Sequence, residues 1–183
     1  MSESPYRPGP LSDVRVSADG DDTVVVFPRV LPCSVEQAWF AITDPAMLAR
    51  WTPYTADRDL GSTGAAVITM LTEDGDPEMT LPVVVRVAET DRRLEHEWGP
   101  DELAWELTPT EGGTRVVLTQ RSRAEGMASA LAAGWHLCFD VLEALLAGTP
   151  FGPIVGVRAR DYGWDDLNNR YAQRLGVDPS EVW

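Results

Sequence analysis

Hydrophobic and polar positions along the chain change period several times, and each change predicts a change of element. Residues 23–31, TVVVFPRVL, are β-branched and aromatic and predict a strand, with Pro28 pointing to an edge position or a bulge. The spacing then becomes helical. Ser34 with Gln37 has the capping-box pattern, and Val35, Ala38, Trp39 and Ile42 share one helix face. Pro45 suits the first turn of a second short helix that ends near Trp51, since the residue before a proline resists the α region.

From Gly64 the period is two. Val67, Thr69 and Leu71 alternate with Ile68 and Met70, and further strands are predicted over 79–88, 92–98, 102–108 and 114–122. One side of these strands collects Leu94, His96 and Trp98, then Leu103, Trp105 and Leu107, then Val116, Leu118 and Gln120. The TEGG at 110–113 has hairpin-turn chemistry, so the strands are expected to run as consecutive antiparallel hairpins.

The stretch 126–148, GMASALAAGWHLCFDVLEALLAG, returns to helical spacing and predicts a helix roughly 33 Å long. Ser129, His136, Asp140 and Glu143 fall on one narrow strip, read here as a solvated face. Met127, Leu131, Gly134, Cys138, Val141, Leu142 and Leu145 share the opposite side. So broad an apolar face needs a curved sheet to cover it. Gly134 permits close approach of backbone or ligand, and Gly148 is placed to stop the helix.

The ends differ from this middle. Residues 1–20, rich in Pro, Ser, Gly and Asp, predict a flexible arm before a domain over 21–148. Residues 149–183 form an extension broken by Pro and Gly, after which Trp164, Leu167, Asn168, Tyr171 and Leu175 mark a short amphipathic helix. That helix is expected to cover the domain's own apolar surface, at a sheet edge or a cavity mouth, with a homodimer contact as the alternative.

Composition narrows the function classes. A net charge of −14 repels phosphate backbones and anionic lipid, so neither nucleic acid nor membrane is an expected partner. All 15 basic residues are arginine, and without lysine the chain has no Schiff base, Walker-type phosphate loop or kinase lysine. Cys33 and Cys138 are far apart and suggest neither a zinc cage nor a disulfide framework. The beginning of the chain lacks a basic start and an apolar h-region, which predicts a cytoplasmic protein.

The segments ITDPAMLARWTP, LEHEWGPDELAWELTP, GGTRVVLTQ and GWHLCFDVLEALLAG resemble the START-like or SRPBCC superfamily. Within it, residues 23–148 are similar to the activator of heat-shock protein 90 ATPase homologue family, also described as polyketide-cyclase-like. The resemblance implies an α+β helix-grip fold, a curved antiparallel sheet around a long C-terminal helix with an apolar cavity between them. It implies no universal catalytic motif, because this scaffold hosts carriers, cyclases, hydrolases and cochaperone domains.

Candidate chemistry is correspondingly sparse. Trp51, Trp98, Trp105 and Trp135 serve equally as pocket walls for an apolar ligand or as ordinary core. Leu131 and Cys138, on the apolar helix face, join them as ligand-binding candidates. His96 shares the inward strand face, as a hydrogen-bonding group or a satisfied core histidine. Gln120 on that face must find a partner in another side chain, water or ligand. His136, Asp140 and Glu143 make an incomplete metal set on one helix, and no catalytic residue, metal or cofactor is expected. The first reading is a non-catalytic binding domain for a hydrophobic small molecule, lipid or polyketide-like. The alternatives are a cyclase or aromatase using His96 and Gln120 for proton transfer, and a cochaperone-like module whose acidic surface meets a chaperone.

Overall fold

In the computed structural model, which describes residues 6–182, eight antiparallel strands form one sheet that curls around a single long helix. Strand β1 is Arg15–Asp19 and β2 is Asp22–Leu31. Two short helices follow, α1 Val35–Thr43 and α2 Pro45–Trp51. Then come β3 Tyr54–Ala56, β4 Gly64–Leu71, β5 Pro77–Glu89, β6 Arg93–Trp98, β7 Asp101–Thr110 and β8 Gly113–Ser122. The long helix α3 is Ala128–Leu146, a 3-10 turn spans Gly156–Tyr162, and α4 is Trp164–Leu175. Strand order is β1-β2-β8-β7-β6-β5-β4-β3.

Local chemistry explains most of these boundaries. The Ser34 hydroxyl accepts from the Gln37 amide while the Gln37 side chain answers the Ser34 N–H, the reciprocal box read from the sequence. Asp44 ends α1 and caps α2 by accepting from the Met47 amide, with Pro45 at the first helical position. Pro28 lies past the stretch of β2 that β1 covers, where β2 has β8 on one side and its missing N–H is tolerated. Gly148, with φ of 75°, follows the Ala147 cap of α3.

Register explains the inward face. Leu94 pairs with Trp105 and His96 with Leu103 across β6 and β7, while Leu103 pairs with Gln120 and Trp105 with Leu118 across β7 and β8. All six side chains are buried, because residues two apart on a strand point the same way. Register shifts in the β4–β5 and β5–β6 pairings bend the sheet, and β3 at its end packs against α2.

Two expectations differ from the structure. Of the arm expected over residues 1–20, residues 1–5 lie outside those described, and the rest is packed rather than loose. β1 completes a hairpin with β2 through Gly20, whose φ is 63°, and the Tyr6 ring packs 5.1 Å from Phe151. The second difference is the polar strip of α3, which is not solvated: Ser129 and His136 are both fully buried. The reason is tertiary. α4 packs on α3 over this strip, with Leu167 and Tyr171 buried, so sheet and extension together enclose most of the helix.

Candidate functional site: an apolar cavity at the N-terminal half of the long helix

A cavity of about 210 Å³ lies between the sheet, the N-terminal half of α3 and the extension that follows it. The sheet contributes Trp98 and Gln120. From α3 come Leu131, Gly134, Trp135 and Cys138, one turn apart in pairs as the helical period requires. Ile154, Ala159 and Trp164 close the other side, so the extension supplies a wall as well as a cover. Among the described residues no charged side chain lines the cavity.

At Gly134 the helix wall leaves unfilled room. A Cβ built there meets no atom within 4 Å. Glycine inside a helix costs roughly 0.5–1 kcal/mol relative to alanine, so this position gives up stability where a side chain has room.

Five of the expected ligand-binding residues, Trp98, Gln120, Leu131, Trp135 and Cys138, stand at this cavity. The other three do not line it. Trp51 and Trp105 fill the interior beside it, with ring centroids 6.0 Å apart, and Phe139 lies 5.8 Å from Trp51. Docking of α2 beneath α3 causes this, and the Trp51 indole N–H is satisfied there by the Ala41 carbonyl at 2.9 Å. His96 is also buried, on the strand face it was expected to share.

Gln120 is satisfied within the protein. Its Oε1 accepts from the Trp135 indole at 2.7 Å and its Nε2 donates to Asp101 at 2.7 Å. Indole only donates and an ionised carboxylate only accepts, which fixes the orientation of the amide. The bond orients Trp135 and leaves the cavity wall apolar. Cys138 is no nucleophile, since burial pushes its thiol up to about 12.

His96 is held at one nitrogen. Its Nδ1 donates to the Glu97 carbonyl at 2.8 Å, and burial lowers its pKa to about 4, against which that hydrogen bond pulls only partly back. The ring is therefore neutral at pH 7. So weak a base is poorly matched to proton abstraction at neutral pH. Tyr54, from the three-residue β3, packs 5.7 Å from Trp98, and its burial raises its pKa. Sequence reading did not single out this tyrosine, because Pro53 and the shortness of β3 leave no alternation to read.

A second polar cluster occupies the far side of α3. Arg29 of β2 bonds to Asp140 and, through its Nε at 2.7 Å, to Glu143. Tyr6 also donates to Asp140. The Tyr171 hydroxyl accepts from the Ser12 amide at 3.0 Å and hydrogen-bonds with His136 Nδ1 at 2.8 Å. The other ring nitrogen of His136, Nε2, lies 3.4 Å from Asp140, a long contact. Burial alone would raise the Asp140 pKa, but the neighbouring His136 ring, the bond from Tyr6 and the charge of Arg29 outweigh it and hold the carboxyl below its usual range. The guanidinium sits between the two carboxylates where a metal would have to bind. This cluster ties β2, α3, α4 and the arm together, and the long sequence separations of Tyr6, Arg29 and Tyr171 hid it from periodicity.

Residues 32–147 match the family described as Activator of Hsp90 ATPase homolog 1-like protein. No curated protein matches the chain. Among solved structures, CalU16 from Micromonospora echinospora is similar over 88% of this chain and 95% of its own, at 18% identity and a TM-score of 0.64. An AHSA1-like protein from Aeromonas hydrophila is similar over 70% of this chain and 96% of its own, at 21% identity and a TM-score of 0.57. DynU16, from the dynemicin biosynthetic locus, is similar over 69% of this chain and 48% of its own, at 24% identity and a TM-score of 0.57. At these identities the likeness is one of fold.

Proposed function

The chain belongs to the activator of Hsp90 ATPase homolog 1-like family of the SRPBCC superfamily, and on that premise we propose that it binds a hydrophobic small molecule without transforming it. The observation that carries this reading is the uncharged cavity left unfilled at Gly134. Its size suits one or two fused rings or a short chain, with any larger part of a ligand emerging past the exposed Val182 at the rim. The relation to DynU16, a protein of a biosynthetic locus, supports a small-molecule role over a purely structural one. Both cysteines are free, which suits the reducing cytoplasm where we place the protein.

A cyclase would need a proton-transfer group in contact with bound substrate. The candidates from the sequence are poorly suited, as Gln120 is fully engaged and His96 is a weak base. Binding is therefore favoured over catalysis.

Filling the cavity tests the reading. Gly134→Leu sets its Cβ in open space, extends the rest of the side chain into the cavity and replaces glycine with a strong helix former, so the variant should melt at or above the wild-type temperature. Saturable binding of a hydrophobic dye, read by tryptophan quenching, should weaken tenfold or more. Undiminished binding in Gly134→Leu would place the ligand elsewhere. A broad apolar panel without a single binder would sink the carrier reading and move the chaperone-contact reading to first place.

A further inference from the structure

Among the buried polar atoms without a hydrogen-bond partner, which include the Trp105 indole N–H, two sit on neighbouring rings beside the cavity: the Tyr54 hydroxyl and His96 Nε2. Both residues are closed to solvent, at 0% and 1% exposure. Their rings meet edge to face with centroids 6.2 Å apart, although β3 and β6 are separated in the sheet by β4 and β5. A polar atom buried without a partner bears its whole desolvation cost, and native structures keep few of them. Two such atoms on neighbouring rings are costly to bury.

The pair adjoins the cavity. Trp98, a cavity wall, packs 5.7 Å from Tyr54. Pro53, which precedes Tyr54 in the chain, also lines the cavity. Trp98 borders both the cavity and Tyr54, and its indole N–H is held by the soft acceptor Met70 Sδ at 3.2 Å.

The free atoms are complementary in kind. Because His96 Nδ1 donates to the Glu97 carbonyl, Nε2 carries a lone pair and accepts. The Tyr54 hydroxyl can donate. A group that satisfies both must donate one hydrogen bond and accept one, as a hydroxyl does. We infer that Tyr54 and His96 form a polar end to the cavity that binds the hydroxyl of a neutral, otherwise apolar phenol or alcohol, reached by displacement of the Trp98 ring. This deepens the proposed function and rests on the cavity being a ligand site. Charged ligands fit poorly, since among the described residues no counter-charge lines the cavity and an unpaired ion there would lose its hydration uncompensated.

A matched pair of probes tests it: 2-naphthol and 2-methylnaphthalene, titrated calorimetrically into the wild type and into Tyr54→Phe and His96→Phe. The wild type is expected to bind the naphthol about tenfold more tightly, the scale of a hydrogen bond made to buried groups otherwise unsatisfied. Each variant should lose that preference while still binding the hydrocarbon. Tyr54→Phe removes a single oxygen that has no partner, so its melting temperature should be unchanged or higher, and it decides the matter if His96→Phe does not fold. Equal affinity of the wild type for both probes overturns the inference but leaves the carrier reading standing, and this is the outcome if a bound water already satisfies the pair and is not displaced. A preference that survives in Tyr54→Phe also overturns it. If neither probe binds the wild type, the carrier reading fails and takes the inference with it.

Discussion

At the scale of single residues, what matters is which buried polar groups are satisfied. Gln120 and His96 looked equivalent in the sequence, each a polar residue on an inward strand face. Gln120 finds the Trp135 indole and Asp101, whereas His96 finds a partner for one nitrogen only. That difference has a pH signature. The folded-state pKa of His96 is near 4 against about 6.5 unfolded, so between these values the unfolded chain binds the extra proton. The contribution to stability is complete above pH 6.5 and is lost as pH falls through the window towards 4. Urea unfolding across that range should show the wild type losing about 3 kcal/mol more than His96→Phe. Parallel curves for the two proteins would mean that His96 is hydrated or paired when folded.

At the scale of elements, the β7–β8 turn shows how one position can control a whole pairing. Gly113 has a φ of 132°, and a Cβ there would fall 2.0 Å from the Leu31 carbonyl oxygen, a backbone atom at the end of β2. Gly113→Ala must therefore displace either the turn or the β2–β8 ladder. A loss of at least about 2 kcal/mol is expected in denaturant unfolding. Its neighbour is the control: a Cβ at Gly112 meets nothing, so Gly112→Ala should change stability by less than about 0.5 kcal/mol. Equal effects at the two positions would show that the turn relaxes freely. The TEGG motif told that a hairpin turns here, but not which glycine the chain beside it forbids from changing.

At the scale of the whole molecule, charge and cover dominate. The chain carries −14, and many of its ion pairs are exposed, such as Arg160–Asp165 and Arg170–Asp166, where screening leaves little net attraction. Self-repulsion should then outweigh them. Raising sodium chloride from low to a few hundred millimolar should relieve roughly 1 kcal/mol and lift the melting temperature by about 2–4 °C. A melting temperature that falls with salt would show that attractive pairs prevail over the net charge. The Arg29, Asp140 and Glu143 cluster should contribute little to this response, since Arg29 and Asp140 are largely shielded from solvent.

The sequence by itself determined the elements and the inward face of the sheet. Period, capping and turn chemistry act within a few residues, so the α1–α2 pair, strands β4 to β8 and the long helix were all readable. It also determined that His96, Gln120 and the tryptophans of β6 and β7 point the same way, because alternation is a property of the strand alone. Only the tertiary structure decided which of these face empty space. Trp51 and Trp105 became core when α2 docked beneath α3, and the strip of His136 and Asp140 became a buried network when α4, β2 and the arm closed over it. Tyr54 met His96 because the sheet bends, a consequence of pairings between strands distant in sequence. Periodicity says how a side chain is directed from its own backbone; what it meets there depends on segments a hundred residues away.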